Sequence, residues 1–163
     1  MNKFIIVTVV VAITVISIAF ASPLFYDTEI NELIPDSMME GMMMEKDDSM
    51  MEETLSMSYA GTFIGVGDGI HDAQGDTFTI PIENGSNVLR LENFKSTNGP
   101  DLYVYLSTDD NASEFINLGK LKANKGNQNY EIPDNVDLSK YNKVLIWCKT
   151  FGVLFGSADL SSK

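Results

Sequence analysis

The chain has 163 residues and a formal net charge of −12, from 23 acidic and 11 basic side chains, with one cysteine and one histidine. That length suits one core of ordinary size. So acidic a surface repels a phosphate backbone and excludes nucleic acid as a partner. One Cys with one His also falls short of the three or four ligands of a closed zinc site.

Residues 4–20, FIIVTVVVAITVISIAF, are uncharged and follow Lys3, which is the positive flank and apolar run of an export signal. Ala19-Phe20-Ala21 offers a cleavage pattern, but the run exceeds the roughly 7–15 residues of a cleaved core. Extended through Ala21, a helix of about 27 Å approaches the roughly 30 Å hydrocarbon thickness. An uncleaved signal anchor within residues 1–22 is therefore expected, holding the chain to the membrane through residues 4–21. The remainder then lies outside the cytoplasm, or is secreted if the segment is cleaved.

Residues 23–59 read as an acidic linker. Two prolines, high charge and no sustained apolar face leave too little burial to offset the ordering entropy, so disorder is expected. Eight of the nine methionines lie between Met38 and Met57. Thioether sulfur is a soft ligand suited to Cu(I), and Met38, Met39, Met42, Met43 and Met44 are the candidate copper ligands. A self-repelling tether whose thioethers consume oxidants is the favoured reading of the same residues.

From residue 60 to 163 turn residues recur at short intervals, as in Gly67-Asp68-Gly69, Asn98-Gly99-Pro100 and Lys125-Gly126-Asn127. Between them apolar residues alternate: Phe78, Ile80 and Ile82, then Leu102, Val104 and Leu106 with Tyr103 and Tyr105 opposite. This pattern predicts an all-β domain, a single β-sandwich of about eight strands over 61–66, 76–82, 87–93, 101–107, 115–122, 127–132, 143–149 and 151–160. Residues 143–155 are apolar on both faces, as central strands are.

Motifs in this domain exclude more than they assign. The glycines around Asp68 lack the strand and helix of a dinucleotide loop. Asp68, Asp72 and Asp76 could offer oxygen ligands to calcium, but without EF-hand order. A single His and no Gly-x-Ser-x-Gly elbow disfavour hydrolase chemistry. Cys148 cannot form an internal disulfide, so outside the cytoplasm it is shielded, paired between molecules, ligating or reactive.

Several ordered motifs, Asn98-Gly99-Pro100-Asp101-Leu102-Tyr103-Val104-Tyr105-Leu106, Leu118-Gly119-Lys120-Leu121, Gly126-Asn127-Gln128-Asn129-Tyr130 and Ile146-Trp147-Cys148-Lys149-Thr150-Phe151, resemble the DM13 domain. Gly61-Thr62-Phe63 with His71 and Gly75 looks like that family's opening. The resemblance implies a β-sandwich in extracellular or membrane-tethered proteins, sometimes beside DOMON and cytochrome b561 modules, that serves electron transfer. It implies further that Cys148 acts as a bare thiol or as the ligand of a prosthetic group, haem or copper being the candidates. A separate redox partner protein would then supply the electron.

Cys148, His71 and Trp147 are on these grounds the expected redox and cofactor-binding residues. A reactive thiolate needs a nearby cation. Lys149 should point away from Cys148 in a regular strand, which leaves His71. Trp147, Phe151 and Phe155 are expected to limit solvent access. The alternative is a non-catalytic surface module that presents Tyr103, Tyr105 and turn residues, with Cys148 as core packing.

Overall fold

The computed structural model describes residues 26–35, 59–82 and 86–162. The expected N-terminal helix and Met38 to Met44 lie outside these residues. Among the described residues no helix is long and apolar enough to cross a membrane.

Among the described residues eleven strands form two sheets: β1 (Glu29–Asn31), β2 (Tyr59–Thr62), β3 (Ile64–Gly65), β4 (Ala73–Pro81), β5 (Asn87–Ser96), β6 (Leu102–Ser107), β7 (Phe115–Lys120), β8 (Lys125–Ile132), β9 (Lys143–Cys148), β10 (Val153–Asp159) and β11 (Ser161–Ser162). The six-stranded sheet runs β1-β8-β5-β4-β2-β11 and the five-stranded sheet β3-β10-β9-β6-β7. The described part is all-β, as the alternation predicted.

Period-two alternation decides what faces inward. Leu89, Leu91 and Phe94 of β5 and Tyr130 and Ile132 of β8 share one core with Leu102, Val104 and Leu106 of β6 and Val144, Ile146 and Cys148 of β9. At roughly 1.5–3 kcal/mol for each large apolar side chain fully buried, this shared core holds the sheets together. The strand expected over 61–66 is divided. β2 belongs to one sheet and β3 to the other, and the chain crosses at Phe63, whose buried ring meets Phe94 edge-on at 5.4 Å.

The larger departure lies in the expected linker. β1 pairs in parallel with β8, Ile30 opposite Gly126. Asp27 pairs with Lys125, and the Thr28 N–H donates to Asn124 Oδ1 at 2.5 Å. Arg90, buried, donates to the Glu32 carbonyl at 3.1 Å and to Asn129 Oδ1 at 2.9 Å. The approach depends on Gly126: its φ of +98° favours glycine, and a Cβ there would lie 2.1 Å from the Ile30 oxygen. Acidic composition concealed this strand, because its partners are lysines and backbone groups rather than an apolar face. The methionine-rich stretch is accordingly an insertion between β1 and β2, not the spacer that separates the domain from the apolar segment.

Candidate functional site

Cys148 ends β9 at one end of the sandwich, where four connections meet: residues 66–72, 97–101, 121–124 and 149–152. Backbone and short side chains lock them together. Thr97 donates its N–H to the Asp72 carbonyl at 3.0 Å, and Ser96 donates to the Asn124 carbonyl at 2.8 Å. Asp101 accepts the Lys149 N–H on its carbonyl at 3.0 Å and the Thr150 hydroxyl on its carboxylate at 3.0 Å. Gly152 closes the turn by donating to the Cys148 carbonyl at 2.8 Å.

The thiol lies below this cap, 1% exposed, with Leu102 and Val153 as its cross-strand neighbours. Among the described residues it has no disulfide or hydrogen-bond partner. It also carries the only sulfur among them, since all nine methionines fall outside. A register shift between Leu154 and Gly156 turns Phe155 into the core. Its ring lies close to the backbone at Gly99, where even a Cβ would come within 2.8 Å of Phe155 and of Leu102. Phe155 in turn takes the His71 ring edge-on at 4.5 Å.

His71 is held in one orientation. Its Nδ1 lies 2.6 Å from Asp68 Oδ2, and the Asp68 Oδ1 accepts the N–H groups of Ile70 and His71 at 2.8 and 2.7 Å. The backbone N–H of His71, its ring and the Ile70 N–H hold the Asp68 carboxyl down at about 2. Asp68 is thus charged across the ordinary pH range and keeps the proton on Nδ1, which leaves Nε2 as the free acceptor. The carboxylate was legible only as a member of an acidic series. Its real signature is the Asx turn, an Asp accepting from the amides two and three residues on.

The expected site residues are partly gathered and partly dispersed. His71 and Cys148 share one end, with Phe155 packed against His71, and no hydrogen bond joins the two. Trp147 projects on the opposite face of β9, because neighbouring strand residues alternate. Phe151 is 69% exposed at the tip of the turn. Of the three aromatics expected to shield the thiol, only Phe155 lies in its core. Lys149 turns away, its Nζ 5.1 Å from the Tyr103 ring centre. Asp72 accepts from Gln74 and Asp76 from Thr62, and among the described residues no group of three His, Cys, Asp or Glu could hold a metal ion. The calcium arrangement is not formed.

A family model described as electron transfer DM13 matches residues 66–160. The chain belongs to the DM13 family. The match runs from the His71 loop through β10 and includes Cys148. This is a redox-related domain. Comparisons with curated proteins and with solved structures give no match.

The implied prosthetic group can be tested against this packing. Sγ sits within the close-packed core with Leu102, Val104, Ile146 and Phe155. A haem plane or copper ion on it would have to displace those side chains, so the residues as packed do not fit either group at Cys148. His71 Nε2 is the better-placed donor, but among the described residues it stands alone.

Proposed function

We propose that this DM13 domain acts outside the cytoplasm, tethered to the membrane by residues 4–21, and exchanges electrons with a partner protein through Cys148 as a bare thiol. The observation that carries the reading is a lone sulfur, inside the family-matched region, placed one residue from a surface turn yet sealed from water. Sealing favours electron over atom transfer, because peroxide or a second thiol must touch the sulfur whereas an electron need not. The step is a one-electron oxidation: the thiol gives its electron to a one-electron centre on the partner and its proton to bulk water at the adjacent 149–152 turn. This leaves a thiyl radical that takes both back on reduction.

The rival binding-module reading loses part of its surface. Tyr105 is buried beneath Phe115, which stacks on it at 4.2 Å, so of the two tyrosines only Tyr103 remains partly open. The test is to add ferricyanide to the full chain in detergent and count the equivalents reduced. The redox reading expects an uptake that Cys148→Ser abolishes while the melt is kept. Equal uptake by both proteins, or none by either, supports the binding module.

A further inference from the structure

The end of the sandwich that carries Cys148 is also the end at which the chain arrives. β1 runs parallel to β8, so Asp27 and Thr28 stand beside Lys125 and Asn124, next to the Cys148 cap. Only residues 22–26 separate Asp27 from Ala21, the last residue of the apolar run. Six Cα steps reach at most about 20 Å. A headgroup layer occupies about 5–7 Å of that distance, the difference between the hydrocarbon and full bilayer thickness per leaflet.

The same end carries side chains suited to lipid. Tyr26, Val66, Ile70 and Phe151 are large apolar residues left exposed there, Ile70 at 70% and Phe151 at 69%. Both of these stand on turns, free of the core. Charge is distributed to match: Lys95, Lys120, Lys122, Lys125 and Lys149, five of the nine basic residues between 61 and 163, lie at this end. Asp27, Glu29, Glu32, Asp68, Asp72 and Asp101 lie with them, Glu32 on the Lys122 ammonium itself, so this end is close to neutral. The far end holds Asp109, Asp110, Glu114, Asp134, Asp137 and Asp159 against Lys140 and Lys143. An anionic membrane surface repels the far end and leaves the near end free to approach.

The geometry points to a lipid-docked orientation: the Cys148 end of the sandwich faces the bilayer that holds residues 4–21, with Ile70 and Phe151 inserted into the headgroup boundary. This rests on the tethered reading above. Side chains at such an interface reach about 5–10 Å into the boundary. The electron exchanged by Cys148 then passes to a partner within or flush with the membrane, and the acidic end points to bulk water.

The experiment places an environment-sensitive nitrobenzoxadiazole label at Ile70→Cys, at Phe151→Cys and, at the far end, at Ser139→Cys. The full chain is reconstituted in vesicles of phosphatidylcholine with phosphatidylglycerol. Labels at 70 and 151 should be quenched by nitroxide on shallow lipid and be several-fold less accessible to iodide than the label at 139. Vesicle-bound protein whose three labels are equally open to iodide overturns the docked orientation and leaves the tether standing. Labels at 70 and 151 that are shielded from iodide but untouched by lipid nitroxide mark a protein contact instead, and overturn it too. Protein that fails to float with the vesicles removes the tether and the proposal together.

Discussion

Glu32 grips the Lys122 ammonium with both carboxylate oxygens, at 2.7 and 2.8 Å, across 90 residues of sequence. The contact ties a residue of the supposed linker to the sandwich, and with it the carbonyls that Arg90 uses. A shortened chain starting at Ser58 should keep its β-structure but melt lower than one starting at Ser22. Leaving a buried guanidinium short of partners costs about 1–3 kcal/mol. For a domain of this size each kcal/mol is roughly 4–8 °C. Paired thermal melts check this, and equal midpoints would show that β1 adds nothing.

Acid should release the same strand. Burial pushes the Glu32 carboxyl up, but the Lys122 ammonium and the Asn129 N–H outweigh it and hold the group below its ordinary 4.5. A lowered folded value stabilises above the unfolded pKa and is lost as pH falls through the folded one. The Tm gap between the native chain and Glu32→Gln should therefore be constant near neutrality and close progressively below pH 4.5. A gap that persists into strong acid would assign the effect to packing.

Gly126→Ala should detach β1 without unfolding the sandwich. The added methyl meets the Ile30 oxygen, whereas at Gly119, whose φ of +124° carries a similar backbone cost, a Cβ meets nothing within 4 Å. Amide exchange separates clash from backbone strain. The Glu32 N–H, bonded to the Asn127 carbonyl at 2.9 Å, should exchange much faster in Gly126→Ala and unchanged in Gly119→Ala.

These tests bear on what the sequence could disclose. Strands with an apolar face were legible to within about three residues at their ends, because Leu102, Val104 and Leu106 must share a side whatever they pack against. On β4, however, the buried Thr77 and Thr79 share the face of Leu91 and Leu89, and the series Phe78 and Ile80 lies on the other side of the sheet. β1 was not, since Asp27, Thr28 and Glu32 are recruited by distant lysines and an asparagine that no local pattern announces. At the site, alternation correctly turned Lys149 from Cys148. The same rule sends Trp147 outward, and adjacency in sequence was mistaken there for shielding. The register shift that brings Phe155 inward has no local signature.

Asp68→Ala should change the histidine rather than the fold. With the carboxylate gone, Nδ1 loses its partner and the neutral ring redistributes toward the Nε2–H form common in solvent. Nitrogen-15 shifts of His71 report this directly. In the native chain the pair should survive until pH falls from 3.8 toward about 2, the window between the ordinary and folded values of Asp68. A ring that keeps its Nδ1–H without Asp68 would return the orientation to Phe155 alone.

The thiol itself gives the sharpest outcome. Cys148 is closed off by a core in which Phe155 bridges toward the surface histidine, so access should depend on that ring more than on pH. Iodoacetamide should modify the native thiol only as fast as the cap opens, since modification needs direct contact with Sγ. Phe155→Ala removes a core aromatic at a cost of about 3–5 kcal/mol and should accelerate alkylation by orders of magnitude. Phe155→Leu, which keeps most of the volume, should stay slow and still fold. His71→Ala, on the outer side of the same ring, should alter the rate only modestly. Because electron transfer needs no contact with the sulfur, ferricyanide uptake should follow none of these rates and should persist in Phe155→Leu. If uptake rises and falls with alkylation across the three variants, the sulfur reacts by direct encounter, and the sealed thiol is a buried core residue rather than an electron carrier.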